Sequence, residues 1–512
     1  MKEFFKKNEI KIVFTVFIIL SAVYLSLVWN NNVWMDEAFT ASLVHTDFRG
    51  VIERSMADTL PPLYNIILKL ATDVFGYTIP VMKITSVVPM LLTLLLGATV
   101  VRKRFGFRTA LLFMLFITFM PLFMYYGVEI RMYSLGFFFA TASGIYAYEI
   151  VCEPSAKNWT AFTLLSTLAG YSHHFAFVTV AFAYFYLLLY FIFIKRDKLK
   201  NWFLCLLATF LLYLPCLIVT LKQISRVSGY FSMPDIDAAT FVRYCIYPYI
   251  VGVRAATVLC GLLMLAALVI FFVYAFRHGS DKSKYIFAIC SFTVYYGVLL
   301  FGTAVCAVME ANIFVDRYLF FSIGLLWLFA AVMLGGSDVK YYAALVLALI
   351  IGVCSYSVEY NIEYGSSADE EILFLRDNIR EGDVYFSIGG HEEMQYCIPF
   401  YTYLDKQTAE LTFVYPLDEA INEAQKRGST LWITVLDGYR PDEEDMELLS
   451  SNGLSMTKMA DFEFDRYRCE MFRVDLHIFV KKCQKIFSFL SICIRIFDIT
   501  SVGVIQTYIR RR

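Results

Sequence analysis

Charged residues are scarce in this 512-residue sequence, at 17% against about 25% in a typical soluble domain. Hydrophobic residues make up 59% of the chain, and its mean hydropathy is positive. Acidic and basic residues nearly balance, at 45 and 44, which excludes the strong positive charge of many nucleic-acid-binding proteins. The composition predicts that lipid surrounds most of the chain and that nucleic acid is not a partner.

The sequence also lacks a CxxC motif and any Cys/His cluster at metal-ligand spacing, although it contains 12 cysteines. Its first hydrophobic run, at 12–29, has no small-residue cleavage pattern before Asn30, and it is longer than the core of a signal peptide. We therefore expect packing roles for most cysteines and an uncleaved first transmembrane helix.

Hydrophobic runs long enough to cross a bilayer, about 17 to 25 residues, recur through the first two-thirds of the chain. Eleven are predicted, at 12–29, 82–101, 109–127, 133–152, 158–172, 174–194, 201–221, 250–276, 285–308, 317–335 and 340–357. The predicted fold is a polytopic α-helical membrane protein, and the predicted location is the cell membrane.

Basic residues in the loops predict the orientation, because Lys and Arg concentrate on the cytoplasmic side in short loops. Four clusters fall on one side of the predicted topology: Lys2, Lys6, Lys7 and Lys11; 102–104 with Arg108; 195–200; and Arg277, Lys282 and Lys284. The amino terminus is then cytoplasmic. Eleven crossings place the residues after about 358 outside the cytoplasm.

Three regions follow from these patterns. Residues 1–357 form the predicted transmembrane domain, with amphipathic outer-face helices in the loop at 30–80. Residues 358–476 alternate helix and strand patterns and predict a small extracytoplasmic α/β domain, in which Cys397 and Cys469 are candidates for a disulfide. Residues 477–512 form a basic amphipathic tail, either interfacial or a twelfth helix.

An acidic pair, Asp36 and Glu37, closely follows the first predicted helix on the outer side. Carboxylates at this level lie between water and any lipid-bound substrate. An Asp-Glu pair in a loop is ordinarily solvated charge, so the pair alone does not define a site. Asp58 stands in the same loop, where it can bind a hydroxyl group or cap the following helix.

Several motifs follow one another in a consistent order. They are Asp36-Glu37-Ala38, Asp58 before Pro61-Pro62-Leu63-Tyr64, Glu129-Ile130-Arg131-Met132-Tyr133, Tyr171-Ser172-His173-His174 and Asp316-Arg317-Tyr318. Together they resemble the GT-C type membrane glycosyltransferases, in particular the bacterial branch of protein O-mannosyltransferases and aminoarabinose transferases. The resemblance spans most of residues 1–335. It departs from the family pattern at Lys83, which we interpret as an interfacial charge in place of an arginine, and at His174, where relatives have tyrosine.

The resemblance implies an inverting transfer of a hexosyl or pentosyl group from a polyprenyl-phosphate carrier to an acceptor hydroxyl outside the cytoplasm. An attacking hydroxyl needs a base, and the resemblance assigns this role to Asp36, with Glu37 beside it in the catalytic pair. A phosphate leaving group needs charge neutralisation, which Arg131 and Arg317 would supply. The further candidates for substrate binding are Asp58, Tyr64, Tyr133, His173, His174 and Tyr318.

Other functions stay open from the residues alone. A glycolipid transporter or flippase would share a charged outer cavity but needs no base. A polymerase or ligase would use lipid-diphosphate-linked oligosaccharides, and a binding module on an inactive scaffold would bind without turnover. The resemblance also leaves open whether a divalent cation is required, because related enzymes differ. It does not specify whether the acceptor is a glycan, a lipid or a protein of the cell envelope.

Overall fold

The computed structural model describes residues 2–230, 236–249, 255–278, 282–309, 312–364, 368–389, 391–404, 411–464 and 467–475. The chain divides into two compact units. One comprises Met1–Asn32 and Asp36–Ser367, and the other comprises Val33–Met35 and Ala368–Arg512. The basic tail predicted at 477–512 lies outside the described residues.

The first unit is built from helices that follow the hydrophobic runs of the sequence. They are α1 (Lys2–Ser26), α2 (Met35–Val44), α3 (Phe48–Ala57), α4 (Leu63–Phe75), α5 (Ile79–Leu96), α6 (Arg102–Phe105), α7 (Phe107–Phe119), α8 (Phe123–Val128), α9 (Tyr133–Cys152), α10 (Ala156–Ser172), α11 (His174–Phe193), α12 (Leu199–Tyr230), α13 (Ala238–Ile246), α14 (Ala255–His278), α15 (Lys282–Met309), α16 (Phe320–Leu334) and α17 (Asp338–Tyr364). A π-helical turn at Gly97–Val101 joins α5 to α6, and a 3₁₀ turn at Asp316–Leu319 precedes α16.

Eight helical segments within the described residues are long and apolar enough to cross a bilayer. They are Asn8–Ser26, Ile79–Phe105, Tyr133–Cys152, His174–Phe193, Arg196–Gln223, Ser283–Met309, Asp316–Leu334 and Asp338–Asn361. The polytopic membrane fold predicted from the sequence is thus confirmed, whereas the count of eleven spans is not.

The three remaining predicted crossings correspond to α7, α10 and α14. Helix α7 has only 13 residues and α10 has 17, while Gly261–Ile270 is the apolar stretch found among the described residues of α14. The run predicted at 109–127 is broken because Leu122 adopts a left-handed backbone with φ of 80°, directly after Pro121, which cannot continue a helix.

Ion pairs and one hydrogen bond connect several helix ends at one end of this unit. Arg102 pairs with Glu9, Arg104 with Glu149 and Glu153, and Arg108 with Asp338, while Lys284 donates to the carbonyl oxygen of Phe105. These contacts bring the basic loop after α5 together with the start of α1 and the start of α15. Three of the four basic clusters recognised in the sequence therefore border the same end of the bundle.

Helices α9 and α16 pack closely through glycine. A Cβ atom on Gly324 would lie 2.1 Å from Thr141 Oγ1, and one on Gly136 would lie 2.7 Å from the Phe321 ring. Small residues allow helix backbones to approach one another in membranes. The side chains of α16 are buried along almost its whole length, so α16 is a central helix of the bundle.

The second unit is a small α/β fold. Its elements are α18 (Asp369–Asn378), β1 (Val384–Ile388), α19 (His391–Tyr403), β2 (Thr412–Phe413), α20 (Leu417–Arg427), β3 (Leu431–Leu436), α21 (Glu443–Ser451), β4 (Ser455–Phe464) and β5 (Tyr467–Asp475). The strand order is β2-β1-β3-β5-β4. Strands β1, β2 and β3 are parallel, and β5 runs antiparallel to both β3 and β4. The predicted α/β fold is confirmed.

One face of this sheet carries the apolar core of the unit. Side chains of β1 and β3 pack there against α20 and against Leu449 of α21. The segment Val33–Met35 belongs to this unit, and the Val33 amide donates to the Tyr401 hydroxyl at 2.9 Å. Cys397 and Cys469 are both buried and are not joined in a disulfide, so the suggested disulfide between them is wrong.

Candidate functional site

Asp36 lies in the first turn of α2, where a helix N-terminus favours negative charge, and it meets arginines from two distant segments. Arg317 Nη1 donates to Asp36 Oδ2 at 3.0 Å, and Arg131 Nη2 lies 3.8 Å from the same oxygen. The Asp36 side chain is only 13% exposed. The structure therefore brings the predicted base and both predicted phosphate-binding arginines into one cluster.

Thr40 holds Arg131 in this cluster. Arg131 Nη1 donates to Thr40 Oγ1 at 2.9 Å and lies 3.3 Å from the Asp36 carbonyl oxygen, to which the Thr40 hydroxyl itself donates at 2.9 Å. The sequence analysis missed Thr40. Its four-residue spacing from Asp36 was the available signal, because residues so spaced lie on one face of a helix.

Glu37 fixes the loop that carries Arg131. Its Oε1 accepts a hydrogen bond from the Ile130 amide at 2.7 Å, and the residue is 5% exposed. Glu129, in the same loop, is 3% exposed. Burial, followed by the negative charges of Glu37 and Asp36, raises the pKa of the Glu129 carboxyl well above its ordinary value. Glu129 is a second residue that the sequence analysis left out of the site, although it stands two positions before Arg131.

Four buried polar atoms around Asp36 make no hydrogen bond within the part of the chain that the structure describes. They are Arg131 Nε, Arg317 Nε, Tyr133 Oη and His173 Nε2. The positive charges of both guanidinium groups interact electrostatically with Tyr133 and His173. Buried polar groups normally have partners, so these atoms offer hydrogen bonds to a ligand rich in oxygen.

The orientation of His173 makes its Nε2 a donor. Its Nδ1 accepts a hydrogen bond from the Phe175 amide at 3.1 Å, which leaves the proton of the neutral ring on Nε2. The ring stacks on Phe321 at 4.4 Å between centroids and lies 4.8 Å from the Tyr318 ring. Packing therefore fixes both His173 and Tyr318.

A cavity of about 370 Å³ opens beside these two residues. His173, His174, Tyr318 and Gln223 line one part of it, and His174 Nε2 lies 3.3 Å from the Thr59 carbonyl oxygen. The other part is apolar and is lined from α11, α12 and α15 by Phe177, Val178, Leu217, Phe301, Val305 and Met309. Such a cavity suits a ligand with a polar end and a hydrocarbon chain.

Asp58 is half-buried near this cluster. It ends α3, its Oδ1 accepts from the Thr59 hydroxyl at 3.4 Å, and it does not cap α4, which has no side-chain cap. Burial raises the pKa of the Asp58 carboxyl, and Arg131 partly opposes that rise.

Tyr64 and Lys83 have different surroundings from those expected. The Tyr64 hydroxyl lies 2.6 Å from Ser86 Oγ, so it links α4 to α5. Lys83 is only 1% exposed. The interpretation of Lys83 as an interfacial charge is wrong, because a side chain at the interface would be accessible.

A divalent cation would need several oxygen, nitrogen or sulfur ligands held close together. No three His, Cys, Asp or Glu side chains in the described ranges are arranged to hold a metal ion. Asp36 is already engaged by two arginines, whose charge would repel a cation.

Apolar helices long enough to span a bilayer, the short helices α2 to α4 and a second α/β unit are the parts of a GT-C-like membrane fold. Two solved structures of ArnT from Cupriavidus metallidurans match it with a TM-score of 0.59 each. One is in the apo state, at 12% identity, and the other is bound to undecaprenyl phosphate, at 13% identity. Each match covers 90% of this chain and 97% of that chain.

No protein-family model and no curated protein sequence matches the chain. The likeness to ArnT therefore lies in the fold, and at that level it confirms the resemblance to aminoarabinose transferases stated from the sequence.

Proposed function

We propose that this protein is an inverting glycosyltransferase that moves a sugar from a polyprenyl-phosphate carrier to an acceptor hydroxyl on the extracytoplasmic face of the membrane. The observation that carries the proposal is the cluster of Asp36 with Arg131 and Arg317. A carboxylate provides a base, and two guanidinium groups provide the positive charge that a departing phosphate needs. The ArnT structure bound to undecaprenyl phosphate supports the class of carrier.

The proposed reaction is a single displacement. The acceptor oxygen attacks the anomeric carbon and transfers its proton to the Asp36 carboxylate. The bond between the anomeric carbon and the phosphate oxygen breaks, and the electron pair leaves with the polyprenyl phosphate. Arg131 and Arg317 stabilise the charge on that phosphate. Glu37 acts by positioning the loop of Arg131, as its hydrogen bond to Ile130 indicates.

The remaining residues bind the donor. The apolar part of the cavity accepts the first isoprenoid units of the carrier, because its lining comes from Phe177, Leu217 and Val305. The donor atoms Tyr133 Oη and His173 Nε2 bind oxygen atoms of the sugar or the phosphate. His174, Tyr318 and Asp58 border the same region and contribute to it, whereas Tyr64 supports the site through Ser86.

The orientation is part of the proposal. The basic clusters at one end of the bundle support a cytoplasmic location for that end. The amino terminus is then cytoplasmic and the α/β unit extracytoplasmic. A membrane-impermeant thiol reagent should label a cysteine placed at the exposed Asp461 in intact cells but not one placed at Lys103, in a background without other accessible thiols.

The decisive experiment is sugar transfer by the purified protein in lipid nanodiscs. Asp36→Asn should lower kcat by about 100-fold or more, because removal of a positioned base typically has this effect. The matched control is Asp73→Asn, since Asp73 is half exposed and pairs with Lys69 of the same helix. Full activity of Asp36→Asn would disprove the assigned mechanism.

The same preparation separates the alternative functions. A donor panel that compares monophosphate with diphosphate carriers distinguishes the proposed enzyme from a polymerase or ligase. Movement of a glycolipid across the bilayer without sugar transfer would identify a flippase. Donor binding without turnover under all conditions would identify a non-catalytic scaffold.

A further inference from the structure

The α/β unit contains a second cavity, of about 810 Å³, which the reaction proposed above does not use. It lies at the carboxyl end of β3. It is lined by the loop at 437–441, by Met446 of α21 and by side chains of β4 and β5. All of these residues belong to the same unit, so the cleft is complete within it.

The cleft begins at the carboxyl end of β3, next to the place where open α/β sheets bind ligands. From β1 the chain goes through α19 to β2 on one side, whereas from β3 it goes through α21 to β4 on the other. Connections that diverge in this way leave a crevice outside the carboxyl ends of the strands. The residues at 437–441 border that crevice.

Charges in the cleft balance. Its lining includes three cationic side chains, Arg440, Lys458 and Arg468, and three anionic ones, Asp437, Asp461 and Glu470. Lys458 Nζ lies 2.9 Å from Asp461 Oδ1 and 2.5 Å from Glu470 Oε1. A cleft without excess charge of either sign favours neither an anion nor a metal ion. It offers many hydrogen-bond donors and acceptors side by side.

An aromatic ring stands at the edge of the cleft. Tyr439 is 55% exposed, and its side chain lies so close to Gly389 that a Cβ atom there would be 2.1 Å from Tyr439 Cγ. Gly389 has φ of +78°, a conformation that favours glycine. The backbone thus holds the base of the ring in place while its outer part remains accessible.

We propose that this cleft binds a neutral saccharide. Each sugar hydroxyl is both donor and acceptor, which suits adjacent carboxylates and guanidinium groups. The apolar face of a sugar ring can pack on the exposed ring of Tyr439, which offers large contact area with a polar end. The inference does not rest on the transferase reaction, because none of these residues belongs to the cluster around Asp36.

Saturation-transfer NMR on the full-length protein in nanodiscs tests the proposal. The probes are neutral disaccharides of glucose, galactose, mannose, rhamnose and arabinose, with empty nanodiscs as the blank. At least one probe should bind to the wild type and equally to Asp36→Asn. Tyr439→Ala should weaken binding about tenfold or more, whereas Tyr439→Phe, which keeps the ring, should retain it.

A second variant tests the proposal independently of any folding defect that Tyr439→Ala causes. Arg468→Ala removes a donor from the lining of the cleft and should also weaken binding. Its control is Arg427→Ala, because Arg427 pairs with Glu423 on α20, outside the cleft. The proposal is overturned if no disaccharide binds, if binding survives both Tyr439→Ala and Arg468→Ala, or if inorganic phosphate displaces the bound disaccharide.

Discussion

Arg317 Nη1 donates a hydrogen bond to Asp36 Oδ2 at 3.0 Å although 281 residues separate the two in the sequence. Arg131 approaches the same carboxylate oxygen from a third segment. The proposed base and the proposed phosphate-binding groups therefore form one cluster. A substitution of either arginine affects both the base and the binding of the phosphate.

Replacement of either arginine by lysine should lower the rate of sugar transfer. Lysine keeps the charge but loses the planar fork of donors. Loss of one hydrogen bond to a charged group is worth about 1.5 to 3 kcal/mol, so we expect kcat/KM to fall about 10- to 100-fold in Arg317→Lys. Steady-state kinetics measure this, with Arg49→Lys as control because the Arg49 side chain is 85% exposed. Wild-type kinetics in Arg317→Lys would exclude a role for its guanidinium.

Glu129 should make the stability of the protein depend on pH. Because its pKa is raised in the folded state, Glu129 favours the folded state most at a pH below its unfolded value of about 4.3. That stabilisation is lost as the pH rises towards the folded pKa. Glu129→Gln, which mimics the neutral acid, should remove this loss.

Thermal unfolding in detergent across a pH series measures the effect of Glu129. The matched control is Glu53→Gln, because Glu53 is exposed. The unfolding temperature of this variant should depend on pH in the same way as that of the wild type. A Glu129→Gln protein with the same pH dependence as the wild type would show that Glu129 ionises normally in the fold.

Filling the apolar cavity should weaken binding of the carrier. Val305 lines the cavity, whereas Val308, on the same helix, is 84% exposed. We expect Val305→Trp to raise KM for the polyprenyl-phosphate donor with little change in kcat, and Val308→Trp to alter neither. Equal kinetics for the two variants would place the hydrocarbon chain elsewhere.

Gly324→Ala should destabilise the membrane unit. The new Cβ would lie 2.1 Å from Thr141 Oγ1 and 2.8 Å from the Phe137 ring, and overpacking of this kind costs about 1 to 3 kcal/mol. Gly336→Ala is the control, because its nearest neighbours would be 3.8 Å away. Thermal stability followed by size-exclusion chromatography compares the two. An unchanged melting temperature in Gly324→Ala would mean that α9 and α16 separate easily.

A chelator should leave sugar transfer unchanged. In the proposed mechanism Arg131 and Arg317, which lie beside Asp36, neutralise the phosphate, so no step requires a cation. The measurement is the transfer rate after treatment with EDTA, with and without added Mg²⁺ or Mn²⁺. A rate that falls with EDTA and recovers with the metal would require a cation in the reaction.

The sequence was sufficient to group Asp36, Arg131 and Arg317. Each stands next to a hydrophobic run on the same predicted side of the membrane, so topology alone brings them to one face. The hydrogen bonds of Glu37 to Ile130 and of Arg131 to Thr40 were not predictable in the same way. They join residues that are 93 and 91 positions apart in the sequence. These contacts depend on how loops pack, which a periodic sequence pattern does not predict.

Backbone geometry explains the other differences. Hydropathy does not detect the left-handed Leu122 between α7 and α8, which interrupts the run predicted at 109–127. It also cannot show that Lys83 is buried in protein rather than exposed at the interface. The sequence pattern does not reveal the hairpin of β4 and β5, because both strands carry charged side chains, such as Lys458 and Glu470, on an accessible face.

The contacts between the first and last helices of the bundle bear on how the protein is made. Ser26 Oγ lies 3.0 Å from the Tyr356 hydroxyl, which is synthesised 330 residues later, and Arg108 pairs with Asp338 of α17. Membrane helices insert individually and then associate. Helices α1 and α7 therefore lack one of their packing partners until α17 has been synthesised. A chain that ends before Asp338 can insert into the membrane but cannot complete the packing of the bundle.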